Sequence, residues 1–437
     1  MKKGFLIIIF LYITPILQAQ VYPVFKSVNI TAGGLYSALT YNERLVVTDL
    51  TVNGIIDARD FLTLRDEMHS LKVLDLTGTS IASFTGWGPA KTRDYPANTI
   101  PINGLMEKFG DYSHLKSVLL PSSVTSIDSY AFQACTSLLT FNVPSSVTTI
   151  CAWAFWSCSS LTSVNIPSSV TTIGEYAFWS CSSLSSVDIP SSVTSIGSDA
   201  FRSTGIKSVS IPSSITSIEA RTFLGCNHLT SLTIPLSIDS IGIDAFRDCS
   251  GLTSLKIPSS VTYIGGNAFL GCSGLTSVTI SSSITSMSFF PFVDCVGLKA
   301  IYADSKIPFV FTPNSTEPSF DWTFSCKLYV PIGSISAYKT AYVWRRFYNV
   351  QEFVPTEVKF SKNEKISLYP NPITDGFRIM GINAASELRL YDINGKLILV
   401  KKINNNQFIS LRSYPKGIYL IKVISSGFVL ERKVMVE

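Results

Sequence analysis

From Leu115 onward the apolar residues fall on a fixed lattice. Leu161, Val164 and Ile166 alternate with polar neighbours, Val170 and Ile173 follow Pro167, and Ala177, Phe178 and Cys181 close the unit before the order restarts at Leu184. Aligned on proline, the series runs Pro121, Pro144, Pro167, Pro190, Pro212, Pro235 and Pro258, with Ser281 in the eighth place. The step is 23 residues, with a single step of 22, and Phe132, Phe155, Phe178, Phe201, Phe223, Phe246, Phe269 and Phe292 keep the same spacing. A period between about 20 and 50 residues predicts a solenoid in which each repeat forms one coil.

Within a unit, the L-x-x-V-x-I stretch has the two-residue alternation of a strand, and the proline behind it removes a ladder donor and ends it. Val170 to Ile173, followed by Gly174, is expected to turn the chain, and Ala177-Phe178 to return it through a tight helical turn. One unit alone leaves its Leu, Val, Ile and Phe in water. Stacking places each apolar column against its neighbour's, at about 1.5–3 kcal/mol for each large side chain fully buried.

The flanks read differently. Met1-Lys2-Lys3, the apolar run Phe5 to Leu11, Pro15 and "LQAQ" predict an export signal cleaved near Ala19. No cysteine stands directly after that point to carry a lipid, and no later apolar stretch approaches the roughly 18 residues of a membrane span. Asp57 is placed to cap a helix over 58–68, Leu71 to Leu76 reads as a strand, and Ser334 as the cap of a helix covering the last coil. After residue 364 no further unit fits. Short alternating runs such as "ELRLYDINGK" and "GIYLIKVIS", with a turn at Asn394-Gly395, predict a small all-β sandwich.

The units resemble the leucine-rich repeats of BspA-like surface proteins, whose pattern LxxVxIPxSVxxIGxxAFxxCxx they follow from Leu115 to about Tyr302. "IIDARDFLTLRDEMHSLKVLDLTGTSI" and "YPANTIPINGL" resemble the divergent first repeats of that family, and "CKLYVPIGSISAYKTAYVWRRFYNV" resembles its terminal segment. Tyr369-Pro370-Asn371-Pro372, then Asp392, Gly395 and Lys396, then Pro415, Gly417 and Tyr419, and finally Lys433 resemble the C-terminal type A sorting domain of the Bacteroidota type IX secretion system. Tyr414 stands where leucine is common in that family. The resemblance implies a leucine-rich repeat solenoid of short parallel strands with irregular or short helical returns, followed by a small immunoglobulin-like sandwich. It divides the chain into a signal peptide (1–19), divergent N-terminal repeats and cap (20–110), repeats of about 23 residues (111–303), a C-terminal repeat cap (304–354), a linker (355–364) and the sorting domain (365–437). It also implies that the tail is read by the outer-membrane translocon and cleaved, the passenger being released or attached to the surface.

Charge sharpens this picture. Residues 361–437 carry 12 Lys and Arg against 6 Asp and Glu, whereas the first 360 residues carry 23 against 24. A near-neutral body without basic clusters argues against nucleic acid as a partner. His69, His114 and His228 are isolated from any nucleophile motif, so no catalytic constellation, no metal set and no cofactor motif emerges. Cys135, Cys158, Cys181, Cys226, Cys249, Cys272 and Cys295 occupy one lattice column, with Thr204 in the missing place. Neighbouring strand spacing permits disulfides between coils, but an odd number in one line fits buried thiols packed as small apolar groups better.

Two columns are candidates for recognition. The polar position between the two apolar strand residues reads Leu119, Asn142, Asn165, Asp188, Ser210, Thr233, Lys256, Thr279 and Tyr302, and would line a concave sheet. The position after each Phe includes Trp156, Trp179, Arg202 and Arg247, either an aromatic and cationic stripe for a ligand or a shield over the convex core. The expected activity is non-enzymatic: adhesion or binding of an extracellular protein or polysaccharide by a secreted or surface-displayed chain. A structural matrix component and a polysaccharide-binding accessory protein are the other readings.

Overall fold

A computed structural model describes residues 23–106, 114–288, 291–309, 326–341, 344–353, 367–369, 375–380, 386–392, 396–424 and 429–436. The export signal, Pro370, Asn371, Pro372 and Gly395 lie outside them. The chain divides into two compact units, one ending at Thr230 and the next starting at Ser231.

The first unit opens with a four-stranded parallel sheet built from Phe25–Ile30, Asp49–Ile56, Val73–Ile81 and Ser117–Leu119. Asp57 caps the intervening helix Ala58–Glu67 through the Arg59 amide, and Asp60 answers with the Asp57 amide, so the helix starts where expected and stops one residue early. The strand expected at Leu71 begins at Val73 and runs on to Ile81. A hairpin, Phe84–Gly88 with Lys91–Tyr95, interrupts the repeats and leaves Trp87 in solvent.

In the regular coils each repeat contributes two strands. The L-x-x-V-x-I stretch gives short parallel strands such as Thr140–Asn142 and Ser163–Asn165. The stretch expected only to turn the chain also forms a ladder: Thr99–Ile100, Ser126–Ile127, Thr149–Ile150, Thr172–Ile173 and Ser195–Ile196 make a five-stranded parallel sheet. Ser186-Val187-Asp188 is not a strand. It precedes the one shortened repeat, where Gly205 packs so closely that a Cβ would lie 2.4 Å from the Ser182 carbonyl oxygen.

The return past Phe is not helical. Tyr130, Trp153, Tyr176, Asp199 and Arg221, two positions before each Phe, all have φ between 56° and 64°, and Ala134, Ser157, Ser180 and Ser203, two after it, lie between 55° and 62°. A left-handed conformation costs a non-glycine residue about 1–3 kcal/mol. Here it turns alternate amides outward along the stack: Trp153 N donates to Glu175 O, Phe155 N to Ala177 O and Ser157 N to Trp179 O, at 2.9, 2.8 and 2.8 Å. The next coil therefore compensates the strain of the present one.

Side chains follow the same logic. In the first unit Phe132, Phe155, Phe178, Phe201 and Phe223 form a buried column with successive centroids 5.2–5.7 Å apart. Serine of P-S-S-V bonds the preceding coil, Ser169 Oγ donating to Val147 O at 2.7 Å and Ser192 Oγ to Val170 O at 2.8 Å.

The second unit repeats these features. Phe246, Phe269 and Phe292 stack at 5.3 and 5.5 Å, and Ser240–Ile241, Tyr263–Ile264 and Ser286–Met287 pair in parallel. A five-stranded parallel sheet runs through Ser254–Lys256, Ser277–Ile280, Ala300–Ala303, Lys327–Pro331 and Asn349–Phe353. The helix Ile335–Thr340 follows Ser334, whose side chain makes no capping bond, contrary to expectation; its amide instead closes a turn on Pro331 O at 3.0 Å. The C-terminal part of the unit holds a three-stranded antiparallel sheet (Ser367–Tyr369, Gly376–Met380, Phe408–Ser410) and a four-stranded one (Leu397–Ile403, Ser386–Tyr391, Gly417–Ile424, Val429–Val436). Phe377, Ile379 and Ile409 of the first and Leu388, Leu390, Ile421 and Val423 of the second belong to one buried cluster.

Candidate functional site

Two surfaces correspond to the columns picked out in the sequence. In the first unit Asn142, Asn165, Asp188 and Ser210 are exposed, while Phe141, Val164, Val187 and Val209 beside them are buried. Alternation puts the polar column in solvent, and it presents no aromatic group.

The second unit differs. Parallel register aligns Lys256 with Thr279, Thr279 with Tyr302, Tyr302 with Tyr329 and Tyr329 with Gln351, so five side-chain positions form one row across five strands. Thr233 and Lys256 are exposed, whereas Thr279 and Tyr302 are half-buried. The rings of Tyr302 and Tyr329 lie parallel with centroids 4.7 Å apart, and Phe353 meets Tyr302 edge-on at 5.4 Å. Tyr329 and Phe353 escaped the sequence reading because their segment lies beyond the last full repeat. "KLYVP" nevertheless places Tyr329 between Leu328 and Val330 as Lys256 stands between Leu255 and Ile257.

The column after Phe carries fewer open groups than expected. Gln133 is buried, and Trp156, Trp179 and Arg202 are half-buried. Trp156 stacks on Trp179 at 5.4 Å, and the guanidinium of Arg202 sits 5.0 Å from the Trp179 ring centre. A second aromatic column, two positions before Phe, packs alongside: Tyr130 on Trp153 at 5.7 Å and Trp153 on Tyr176 at 4.0 Å. Ring faces in this ladder are spent on one another, leaving mainly edges to solvent. Past Tyr176 the column becomes ionic. Fully buried Asp199 pairs with Arg202 at 3.2 Å and Arg221 at 2.9 Å. Arg247 belongs to the second unit, where it pairs with Asp244 at 3.4 Å and Asp248 at 3.5 Å.

The lattice cysteines are buried thiols; no disulfide joins any of the nine cysteines. Cys158, Cys181 and Cys226 in the first unit, and Cys272 and Cys295 in the second, each direct Sγ at the Phe carbonyl of the preceding coil at 3.1–3.2 Å. Burial pushes Cys226 up to about 11 and Cys295 up to about 12. Such thiols are poor nucleophiles and poor metal ligands at neutral pH.

In the tail, the Asp392 carboxylate accepts from the Lys396 amide at 2.9 Å and its own amide donates to Lys396 O at 3.0 Å, closing the turn between two strands. The Tyr419 hydroxyl donates to Pro415 O at 2.6 Å. Gly417 has φ of 150°, a conformation other residues rarely adopt, at the start of its strand. Lys433 lies opposite Leu420 in the last strand, and Tyr369 opposite Arg378. Those tail residues noted in the sequence that are described thus occupy loops and paired strand positions rather than one cluster.

Parallel strands stacked once or twice per coil, with one Phe and one Cys column inside, define a leucine-rich repeat solenoid. Residues 106–230 and 194–310 match the BspA type leucine rich repeat region, in 6 copies, and residues 367–437 match the secretion system C-terminal sorting domain. The chain carries BspA-type leucine-rich repeats followed by a type IX sorting tail, which makes it a secreted or cell-surface protein of a Bacteroidota bacterium. Its sorting domain implies interaction with the secretion machinery. Among the described residues no helix is long and apolar enough to cross a membrane.

Similar solved structures include a leucine-rich repeat protein from Bacteroides ovatus (22% identity over 63% of this chain and 86% of that one, TM-score 0.31). A leucine rich cell surface protein from Faecalibacterium prausnitzii is also similar (25%, 64% and 83%, TM-score 0.32). So is a leucine rich repeat protein of T. pallidum (26%, 43% and 77%, TM-score 0.29). No curated protein matches the chain.

Proposed function

We propose that the protein is a non-enzymatic extracellular binding module, acting in adhesion or recognition, with the repeats as passenger and the tail as export signal. The observation that carries this reading is the row Lys256, Thr279, Tyr302, Tyr329 and Gln351, which sets a cation, a hydroxyl, two stacked phenols and an amide at strand spacing on one sheet. Groups of this kind recognise a polar polymer, protein or polysaccharide, by hydrogen bonds along its length and contact at the aromatic rings. The exposed Asn142, Asn165, Asp188, Ser210 and Thr233 belong to the same reading as further polar contacts. Trp156, Trp179, Arg202 and Arg247 take a supporting role in packing the convex side. In this scheme an export signal over residues 1–19 is removed first. Residues 20–110 and 304–354 cap the repeats of 111–303, and after a linker at 355–364 the tail of 365–437 folds as an immunoglobulin-like sandwich.

Binding of the full chain to arrays of matrix proteins and polysaccharides tests this. Saturable binding to one ligand class, weakened at least tenfold by Tyr302→Ala with Tyr329→Ala or by Lys256→Ala, is the expected result. A structural matrix role would instead give no saturable ligand, and the variants would leave surface assembly unchanged. Turnover of any polymer by the pure protein would overturn the non-enzymatic reading.

A further inference from the structure

Sequence and register together single out one face of the tail. In the four-stranded antiparallel sheet, Tyr391 lies opposite Leu397 on one side and Leu420 on the other, and one step along Arg389 lies opposite Val400 and Lys422. Leu388 and Leu390, between these positions, are buried, so Tyr391 and Arg389 face away from the core. Leu397, Val400 and Leu420 on that side are 47%, 49% and 37% exposed. Three large aliphatic side chains around a tyrosine form a continuous apolar row on a small domain that already buries its own core. Such a patch normally awaits a partner.

Basic residues outnumber acidic ones at the strand positions bordering the row: Arg389, Lys402, Lys422 and Lys433 against Glu387 and Glu431. Glu387, the one acidic residue on this face of the strand Ser386–Tyr391, is held by Arg389 at 2.5 Å. Lys402 is exposed opposite Glu387, and Lys422, half-buried, lies opposite Arg389 on one side and Glu431 on the other. This fits the charge of the whole tail, +6 over residues 361–437 against −1 for all that precedes it. An apolar contact with a basic border calls for an apolar surface edged with carboxylates, where opposite charge speeds encounter and fixes orientation.

We infer that the row Leu397–Tyr391–Leu420, with Val400 and its border of Lys402 and Lys422, is the surface by which a protein of the secretion machinery reads this tail, through an apolar contact edged by acidic side chains. The inference rests on the match of residues 367–437 to a sorting domain. The turn residues Asp392, Lys396, Pro415 and Tyr419 then serve mainly to build the sheet that displays the row, which is why they bond to the tail's own backbone.

The test expresses the full chain in a Bacteroidota host with a working type IX system and measures the ratio of exported to periplasmic protein. Three altered chains are compared: removal of residues 367–437, Leu397→Ser with Leu420→Ser, and Lys402→Glu with Lys422→Glu. Removal of the tail is expected to abolish export; normal export without it would overturn the sorting role itself. Each double variant is expected to lower the ratio at least tenfold while the tail of the retained protein stays protease-resistant. Export of the serine variant at the level of the unaltered chain, with the truncation retained, would overturn the proposed surface alone. Should the serine variant lose protease resistance, the lysine variant decides, since it removes no apolar group: normal export would overturn the acidic-edged partner. A full chain that self-associates through this row, and loses only that association in the serine variant, would assign the row to a second copy and overturn the proposal.

Discussion

The thiol of Cys158 points at the carbonyl oxygen of Phe132, one coil earlier, at a distance of 3.1 Å. Both residues are fully buried, and the thiol adds a second donor to a carbonyl that already accepts from the Cys135 amide at 3.3 Å. The column therefore needs a residue that is small, apolar enough for the core and able to donate. Cys158→Ala is expected to lower stability by about 0.5–1.5 kcal/mol, the net worth of one hydrogen bond. Thr204, the natural substitute in the column, donates to Phe201 O at 2.8 Å from its own coil. Cys158→Thr should accordingly restore no bond to Phe132 O and cost about as much as Cys158→Ala in denaturant unfolding; full rescue by threonine would show that the bond between coils is not what the cysteine supplies.

The same burial governs reactivity. Cys226, Cys295 and Cys326 are pushed up from 9.0 to about 11, about 12 and about 12, chiefly by desolvation. At pH 8 a thiol reagent should label the half-buried Cys151 first and the buried thiols only after unfolding. Because folding raises these values, the stability they reflect is intact below pH 9 and declines as pH climbs through 11 to 12. Labelling of every cysteine in native protein at pH 8 would contradict the buried column.

Phe178 lies between Phe155 and Phe201 at 5.2 and 5.5 Å. Phe178→Ala should cost about 3–5 kcal/mol, as for other large buried aromatics. Since each coil leans on its neighbours, the loss should spread locally. Hydrogen exchange is expected to rise most at the Phe155 and Ser157 amides, which donate to coil-mates of Phe178. A uniform rise throughout the chain would argue for all-or-none unfolding instead.

Near the N-terminus, Glu43 completes a capping box with Thr40 and pairs with Lys26. The Lys26 contact, followed by the two bonds from Thr40, holds its carboxyl down from 4.5 to about 2. The folded value is the lower one, so its contribution is complete above pH 4.5 and is lost as pH falls toward 2. Order in the helix Tyr41–Val46, followed by NMR, should decline over that window, and Glu43→Gln should flatten the decline.

The sequence by itself determined the coil. Its period, the Pro and Phe lattice, the Asp57 cap and the alternation that exposes Asn142 and buries Val164 are all local or nearest-neighbour facts, because a repeat meets only the next repeat. Tail identity was equally legible, since its turn residues stand in a characteristic order. Tertiary structure decided what depends on contact between coils or between strands distant in the chain. The left-handed turns at Trp153 and Tyr176 are unfavourable in isolation and persist because the next coil accepts their amides. The Trp156 and Trp179 stripe looked open in sequence, but the two rings stack on each other and meet Trp153 edge-on and Tyr176 at a tilt, which half-buries them. Likewise, the rows Lys256–Gln351 and Leu397–Leu420 exist only through strand register, which sets side chains from separate segments about 5 Å apart.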